Sequence, residues 1–523
     1  MDKRKRSNMA GHAVTVGGMT LISRVLGLLR DIVLARFGVG PAMDAFFVAF
    51  KIPNFMRRLF AEGAFSQAFV PVLTEYKTTG SQAEVRALVD RVAGTFIGVL
   101  GLITLVGVLA SPLLVLIFAP GFLQEPLKYD LTAHMLRFTF PYLMFMSLVA
   151  FAAGILNSYG KFGAAAFAPV WLNVILIGMA LLVCPQLEEP MLGLAWGVLL
   201  AGFVQLAFLL PSLRSLGLLP RPRWGWHDSG VRKVMRLMIP GIIGSSVAQI
   251  NLLFDTLLAS FLLTGSVSWL YFADRLVEFP LGIFAIALAT VILPLLSQRH
   301  AEGDTAAFSR TLDAGLRWVL LIGLPAMTGL MLLAQPAITT LFQYDGFAAQ
   351  DVRMAGLALL AYAAGLPGFM LVKILAPAFY SRQDTKTPVR IAIRSMIANM
   401  ILNVLFVVPM LQLGMSGAHA GLALATSIAS FLNAFWLYRH LRADKVYLPA
   451  MGWGKLLLQI VFATSIMALV LFIGVPGLSD WLQMSGVTRV STLGFWVLAG
   501  VGSYLLALRL SGLQLSVFIR PSQ

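Results

Sequence analysis

Fourteen apolar stretches dominate the chain, and each is long enough to cross a bilayer, which takes about 20 residues in a helix. They fall near 11–36, 41–75, 84–119, 129–155, 161–184, 190–212, 233–263, 268–299, 309–333, 350–380, 386–411, 417–440, 453–475 and 490–512. Such a chain cannot fold as a water-soluble globule. Its residues are 59% hydrophobic and 12% charged, against roughly 45–50% and about 25% in soluble domains. Hydrocarbon offers no partner to a backbone N–H or C=O, so spans of this length must be helices. The expected fold is an all-α polytopic membrane protein with 14 transmembrane helices. Several stretches are longer than a span requires, which predicts tilt, kinks or extensions beyond the membrane.

Charge supplies the orientation. With the N-terminus inside, the inside loops hold Arg214, Arg221, Arg223, Arg232, Lys233, Arg236, Arg382, Lys386, Arg390, Arg439, Arg442 and Lys445, among others. The outside loops hold only Lys128, Arg137, Arg353 and Arg489, beside Glu125, Asp130, Glu188, Glu189, Asp345 and Asp480. This positive-inside pattern places both termini in the cytoplasm. The net charge of +16 is thus mostly a topology signal, and nucleic-acid binding falls away. Lys3, Arg4, Lys5 and Arg6 resemble the start of a secretory signal. Arg24 and Arg30 then interrupt the apolar run and no small-residue cleavage site follows, so the segment is expected to stay.

The chain repeats itself. DIVLARF (31–37) returns as DTLLASF (255–261), AFVPVLTEY as TVILPLLSQ, and Leu172-Asn173-Val174 as Leu402-Asn403-Val404. The offset corresponds to six spans. An even number preserves orientation, so two six-helix lobes related by an axis along the membrane normal are expected. The resulting division is 1–232, 233–445, and 446–523 for the last two helices and tail.

A set of charges remains at membrane depth: Arg24, Arg30, Asp31, Arg36, Asp44, Lys51, Arg57, Arg58, Glu62, Asp255, Asp274, Arg275, Glu278 and Lys373. A charge facing lipid is costly, so these should face a polar cavity or one another. Arg24 and Asp31 share one helix face. Asp44, Lys51 and Arg58 recur every seven residues, with Asn54 and Glu62 on the same stripe beside Pro53, which should kink the helix. Asp274 and Glu278 lie four apart, and Arg275 can reach Glu278 at i+3. On one reading these are structural ion pairs. On the other, the surplus arginines line a water-filled cavity and bind an anion. Guanidinium stays charged and matches phosphate oxygens in a bidentate fork, which points to a phosphate-bearing substrate. Position alone leaves open whether Arg57 or Arg58 faces the cavity.

Other chemistry is missing from the sequence. There is no GxxxxGK[ST] phosphate loop, and the single Cys184 cannot form an intrachain disulfide. The six histidines are scattered.

At SRVLGLLRD (23–31), DAFFVAFKIPNFMRRLFAEGAFSQAFVP (44–71), GSVSWLYFADRLVEFPLG (265–282) and KILAPAFYSRQDTKTPVRIA (373–392) the chain strongly resembles the MurJ (MviN) family of lipid II flippases. That family belongs to the multidrug/oligosaccharidyl-lipid/polysaccharide (MOP) exporter group. The resemblance implies a transporter, not an enzyme, with two lobes around a cationic cavity and a lipid-tail groove made by the last two helices. It implies essential substrate-binding arginines at Arg24, Arg57 and Arg275. Further cavity residues carry over to Arg30, Asp31, Asp44, Asn54, Glu62, Glu278 and Lys373; Arg58 and Asp274 come from the charge reading above. A sodium site of some relatives would use Asp255, with Asp384 as a second ligand.

The implied cargo is lipid II, moved between leaflets of the bacterial inner membrane by alternating access, without ATP. The implied partners are lipid II, membrane lipids and cell-division or cell-wall synthesis proteins. Three readings compete. A flippase for another polyprenyl-pyrophosphate oligosaccharide would share this cavity. A cation-coupled drug exporter would need surplus acids instead. A membrane glycosyltransferase would need carboxylates near a large outside loop.

Overall fold

The structure, a computed structural model, describes residues 3–59 and 65–513. The regular secondary structure among these residues is all helical, with no strand. By contact the chain falls into two units, Met1–Val267 and Ser268–Gln523.

The first unit contains α1 (Lys3–Ala35), α2 (Pro41–Arg57), α3 (Ser66–Thr79), α4 (Gln82–Leu109), α5 (Ser111–Phe118), α6 (Pro126–Thr139), α7 (Tyr142–Ser158), α8 (Phe162–Gly178), α9 (Pro190–Ser215) and α10 (Ser229–Ala259). Helix starts are marked by their side chains. Ser81 and Glu84 form a reciprocal capping box at α4, and Asp228 accepts from the Gly230 and Val231 amides at α10. Proline opens α2, α5, α6 and α9, where no N–H is needed. Phe65 stacks on Phe96 at 4.5 Å and on Phe69 at 5.1 Å, with Phe151 5.0 Å from Phe69. These rings join α3, α4 and α7. The opposite face of α4 leaves Leu102, Leu105 and Leu109 exposed, as a lipid-facing surface requires. Helix α10 packs against α3, α4 and α5 within this unit. The 232/233 division read from the repeat is a division of sequence, whereas this one is a division of contacts.

The second unit contains α11 (Ser266–Pro280), α12 (Ile286–Ala301), α13 (Thr305–Leu332), α14 (Ala334–Phe342), α15 (Ala349–Ala364), α16 (Leu366–Tyr380), α17 (Lys386–Gln412), α18 (Ala418–Ala443), α19 (Trp453–Gly474), α20 (Leu478–Gln483) and α21 (Gly486–Leu510). Helices α19 and α21 pair and lie on α13. Ile460, Met467 and Leu471 pack with Tyr504 and Leu508, and the Tyr504 hydroxyl donates to the Leu321 carbonyl at 2.7 Å.

Among the described residues ten helices or helix pairs are long and apolar enough to cross a membrane, and an eleventh is the pair over 266–301, bent by 41° after Pro280. The chain is therefore a multi-pass membrane protein. Stretches 11–36, 41–75 and 233–263 are mostly helical where described, but they carry charges or are broken. Prolines divide several stretches that read as continuous. Pro112 follows the break between α4 and α5, Pro141 that between α6 and α7, and Pro367 that between α15 and α16. Pro53 lies buried inside α2, and regular α-winding ends four residues later at Arg57.

Candidate functional site

The charges read at membrane depth fall into separate settings in the two units. In the first unit, α1 carries Arg24 exposed and, nearly two turns on, Arg30 and Asp31 buried. Arg30 Nε and Nη2 donate to Asp31 Oδ1 at 2.9 and 2.7 Å, and Nη1 donates to Asn173 Oδ1 at 3.1 Å. Asn173, on α8, returns to α1 through its Nδ2 and the Ser23 carbonyl at 3.0 Å. One amide therefore clasps the turns on both sides of Arg24's position. Asn173 was visible in the sequence only as part of the repeated Leu-Asn-Val.

On α2, Asp44 is buried at the outset of the helix. Its Oδ2 accepts from the Gly265 amide at 2.7 Å and faces Lys128 Nζ at 3.3 Å. Lys128 also donates to Thr264 Oγ1 at 3.1 Å, lies 3.6 Å from Glu125 and sits over the Phe122 ring at 4.2 Å. Thr264 in turn donates to Glu125 at 2.6 Å. Lys128, expected in an outside loop as an orienting charge, is instead buried on α6. Two turns or more along α2, Lys51, Asn54, Arg57 and Arg58 are partly exposed. Arg57 Nε donates to Asn54 Oδ1 at 2.9 Å, which draws its side chain back along the helix. Glu62 lies outside the described residues. Asp255 is partly exposed on α10.

In the second unit, α11 carries Asp274 and Glu278 exposed and Arg275 partly exposed. Arg275 reaches Glu278 at i+3, with Nη1 to Oε2 at 2.8 Å. It also donates to the Tyr271 hydroxyl at 3.2 Å and lies over that ring at 5.3 Å. Lys373 is exposed on α16. Asp384 sits in the turn between α16 and α17. Burial works against its charge, but the Thr387 amide at 3.0 Å, the Lys386 amide and Arg382 outweigh it and hold the carboxyl below the usual carboxylate range. Among the described residues, no group of three or more His, Cys, Asp and Glu side chains is placed to hold a metal ion.

Arg489 is a second cation whose setting the sequence did not show. Read as an outside loop charge, it is buried on α21 and donates to the carbonyls of Trp481, Leu482 and Gln343 at 3.0, 2.9 and 2.9 Å.

Known proteins resemble this chain over most of its length. The family model described as lipid II flippase MurJ matches residues 33–491. The probable lipid II flippase MurJ of Vibrio cholerae serotype O1 is 48% identical over 510 residues, 96% of each chain. A solved structure of lipid II flippase MurJ in an inward closed conformation superposes with a TM-score of 0.78 at 26% identity, covering 97% of this chain and 100% of that one. An inward-facing multidrug MATE transporter of the MOP superfamily shares the fold alone, with a TM-score of 0.67 at 15% identity over 83% of this chain and 98% of its own. With its charged α1, α2 and α11 and a family match over most of its length, the chain belongs to the lipid II flippase MurJ family of membrane transporters.

Proposed function

We propose that this chain moves lipid II, the polyprenyl-pyrophosphate precursor of peptidoglycan, from the cytoplasmic to the outer leaflet of a bacterial inner membrane by alternating access. One observation carries the substrate chemistry. Within α1, Arg30 is buried and held by Asp31 and Asn173, while Arg24 is exposed. An exposed guanidinium on a membrane helix calls for a polar partner, and a pyrophosphate is the partner its fork fits best. Arg57 in the first unit and Arg275 in the second are proposed to take part in the same binding. Arg30, Asp31, Asp44, Asn54, Arg58, Glu62, Asp274, Glu278 and Lys373 would shape or support it.

In this reading fourteen helices span the membrane, both termini are cytoplasmic, and residues 1–232 and 233–445 are the two repeats that rock against substrate. Residues 446–523 would hold the lipid tail. A membrane potential of 100 mV gives about 2.3 kcal/mol per charge moved, so an anionic head group gains from outward movement without ATP. Sodium is the proposed coupling ion, with Asp255 as its proposed ligand; Asp384, set between the inside charges Arg382 and Lys386, falls outside that site.

The test is lipid II translocation in cells depleted of their own flippase and supplied with this chain. Transport should return with the wild type and fail with R24A, R57A and R275A. Full transport by all three variants would sink the assignment. Rescue of a different polyprenyl-pyrophosphate pathway, but not of this one, would move the substrate to another oligosaccharide.

A further inference from the structure

The connection between α9 and α10 runs as an extended strip along α4. The Arg221 amide donates to buried Asp90 Oδ1 at 2.7 Å, the Arg223 amide to the Asp90 carbonyl at 3.0 Å, and the Gly225 amide to Thr95 Oγ1 at 3.1 Å. Arg91 closes the strip with an ion pair to Asp228. The approach is so close that a Cβ on Gly94 would strike the Arg223 backbone, and one on Gly98 would strike the Trp224 ring. The strip is thus a built feature, seated in a glycine groove and fastened to α4 at Asp90–Arg91 and again at Thr95.

Its outer surface is unusual. Trp224 and Trp226 stack with centroids 6.1 Å apart and planes 12° apart, yet they remain 64% and 43% exposed. Arg221 and Arg223 in the same strip are exposed as well. Depth along α4 explains the combination. Arg91 is the last charge on that helix, and residues 92–109 are uncharged. At 1.5 Å per residue they extend about 27 Å, close to the hydrocarbon thickness. Gly98, which Trp224 covers, therefore lies about 10 Å past Arg91. Trp224 thus enters the outer part of the acyl layer beside Gly98, while Arg221 and Arg223 are fastened at Asp90, at its headgroup edge.

We propose that residues 221–226 are a membrane-surface anchor. The paired indoles of Trp224 and Trp226 sit at the boundary between headgroups and acyl chains, and Arg221 and Arg223 bind the phosphates of anionic lipids. The surface lies on the arginine-rich side, which is cytoplasmic in the orientation proposed above. It ties the α9–α10 connection to both α4 and the leaflet. Nothing in it depends on the transported substrate.

The test uses the full chain in nanodiscs of phosphatidylcholine, with or without phosphatidylglycerol, containing lipids brominated near or far from the headgroup. Shallow bromines should quench the wild type more than W224F/W226F, and deep bromines should not separate them. Phosphatidylglycerol should shift the wild-type emission to the blue and leave R221Q/R223Q unmoved. Equal shallow quenching of wild type and W224F/W226F would overturn the anchor, as would an indole pair quenched only by aqueous acrylamide. Should W224F/W226F lose its helical signal, R221Q/R223Q decides alone, since its changes are confined to exposed side chains: a lipid-dependent shift equal to wild type refutes the proposal.

Discussion

Asp44 on α2 and Lys128 on α6 face each other at 3.3 Å with side chains only 1% and 2% exposed. The pair does more than neutralise itself. Asp44 also accepts the Gly265 amide and Lys128 also binds Thr264, so both are fastened to the turn that follows α10. Removing one partner strands the other charge in a dry setting. K128M should therefore cost about 3–5 kcal/mol of stability. The double variant D44N/K128M should recover much of that loss, because neither charge is left alone. Thermal unfolding in detergent of the two single variants and the double variant checks this. Losses that simply add would show that the two residues act independently.

This relationship marks where sequence reasoning ended. Apolar length placed nearly every helix, because a membrane span announces itself in a single window of the chain. The i+3 pair Arg275–Glu278 was legible for the same reason. Lys128 and Arg489 were not, since burial depends on which distant backbone comes near, and both lie beside acidic or polar loop residues that read as solvated. Breaks at Pro141 and Pro367 were also missed, because a proline inside an apolar run does not say whether the helix kinks or stops.

Arg489 donates to carbonyl oxygens, those of Trp481 and Leu482 on one side and of Gln343 and, at 3.5 Å, Thr339 on the other. Gln343 and the α20 carbonyls lie at helix C-terminal ends, where the backbone dipole favours a cation. The guanidinium reaches these two sides with separate nitrogens, Nε and Nη2 toward α20 and Nη1 toward Gln343, whereas an ammonium directs all its donors from one atom. R489K keeps the charge but not the geometry and should cost roughly 1.5–3 kcal/mol, the worth of a hydrogen bond to a charged group. Limited proteolysis in the 476–486 connection should quicken correspondingly. Wild-type stability in R489K would reduce the residue to a topology signal.

Tyr447 donates its hydroxyl to Asp313 Oδ1 at 2.7 Å, beside bonds to that carboxylate from the Ala450 amide, Trp453 Nε1 and Arg317 Nε. Together they strap residues 447–453 onto α13. Burial, then the Asp313 hydrogen bond and charge, push the Tyr447 hydroxyl well above its ordinary value. A raised folded-state pKa means a contribution fully present below the unfolded value of about 10 and lost as pH rises above it. Y447F should lower stability by roughly 1.5–3 kcal/mol, the worth of a hydrogen bond to a charged acceptor. The gap from wild type should stay flat from neutral pH to about 10 and close beyond. Unfolding midpoints across that range test the direction; a gap that widens with alkali would contradict it.

Asn173 joins the stability of α1 to the proposed binding of substrate. It accepts from Arg30 and donates to the carbonyl of Ser23, the residue before Arg24. If Arg24 binds the pyrophosphate, Asn173 serves by fixing the turn that carries it. N173A should weaken lipid II binding less than R24A does. In an R24A background, N173A should change binding no further, because the group it orients is already gone, while it still lowers thermal stability. N173D separates the two bonds: it retains an acceptor for Arg30 but sets a second oxygen against the Ser23 carbonyl. It should therefore lose binding much as N173A does. Binding losses of R24A and N173A that add in the double variant would show that Asn173 supports the helix without orienting Arg24.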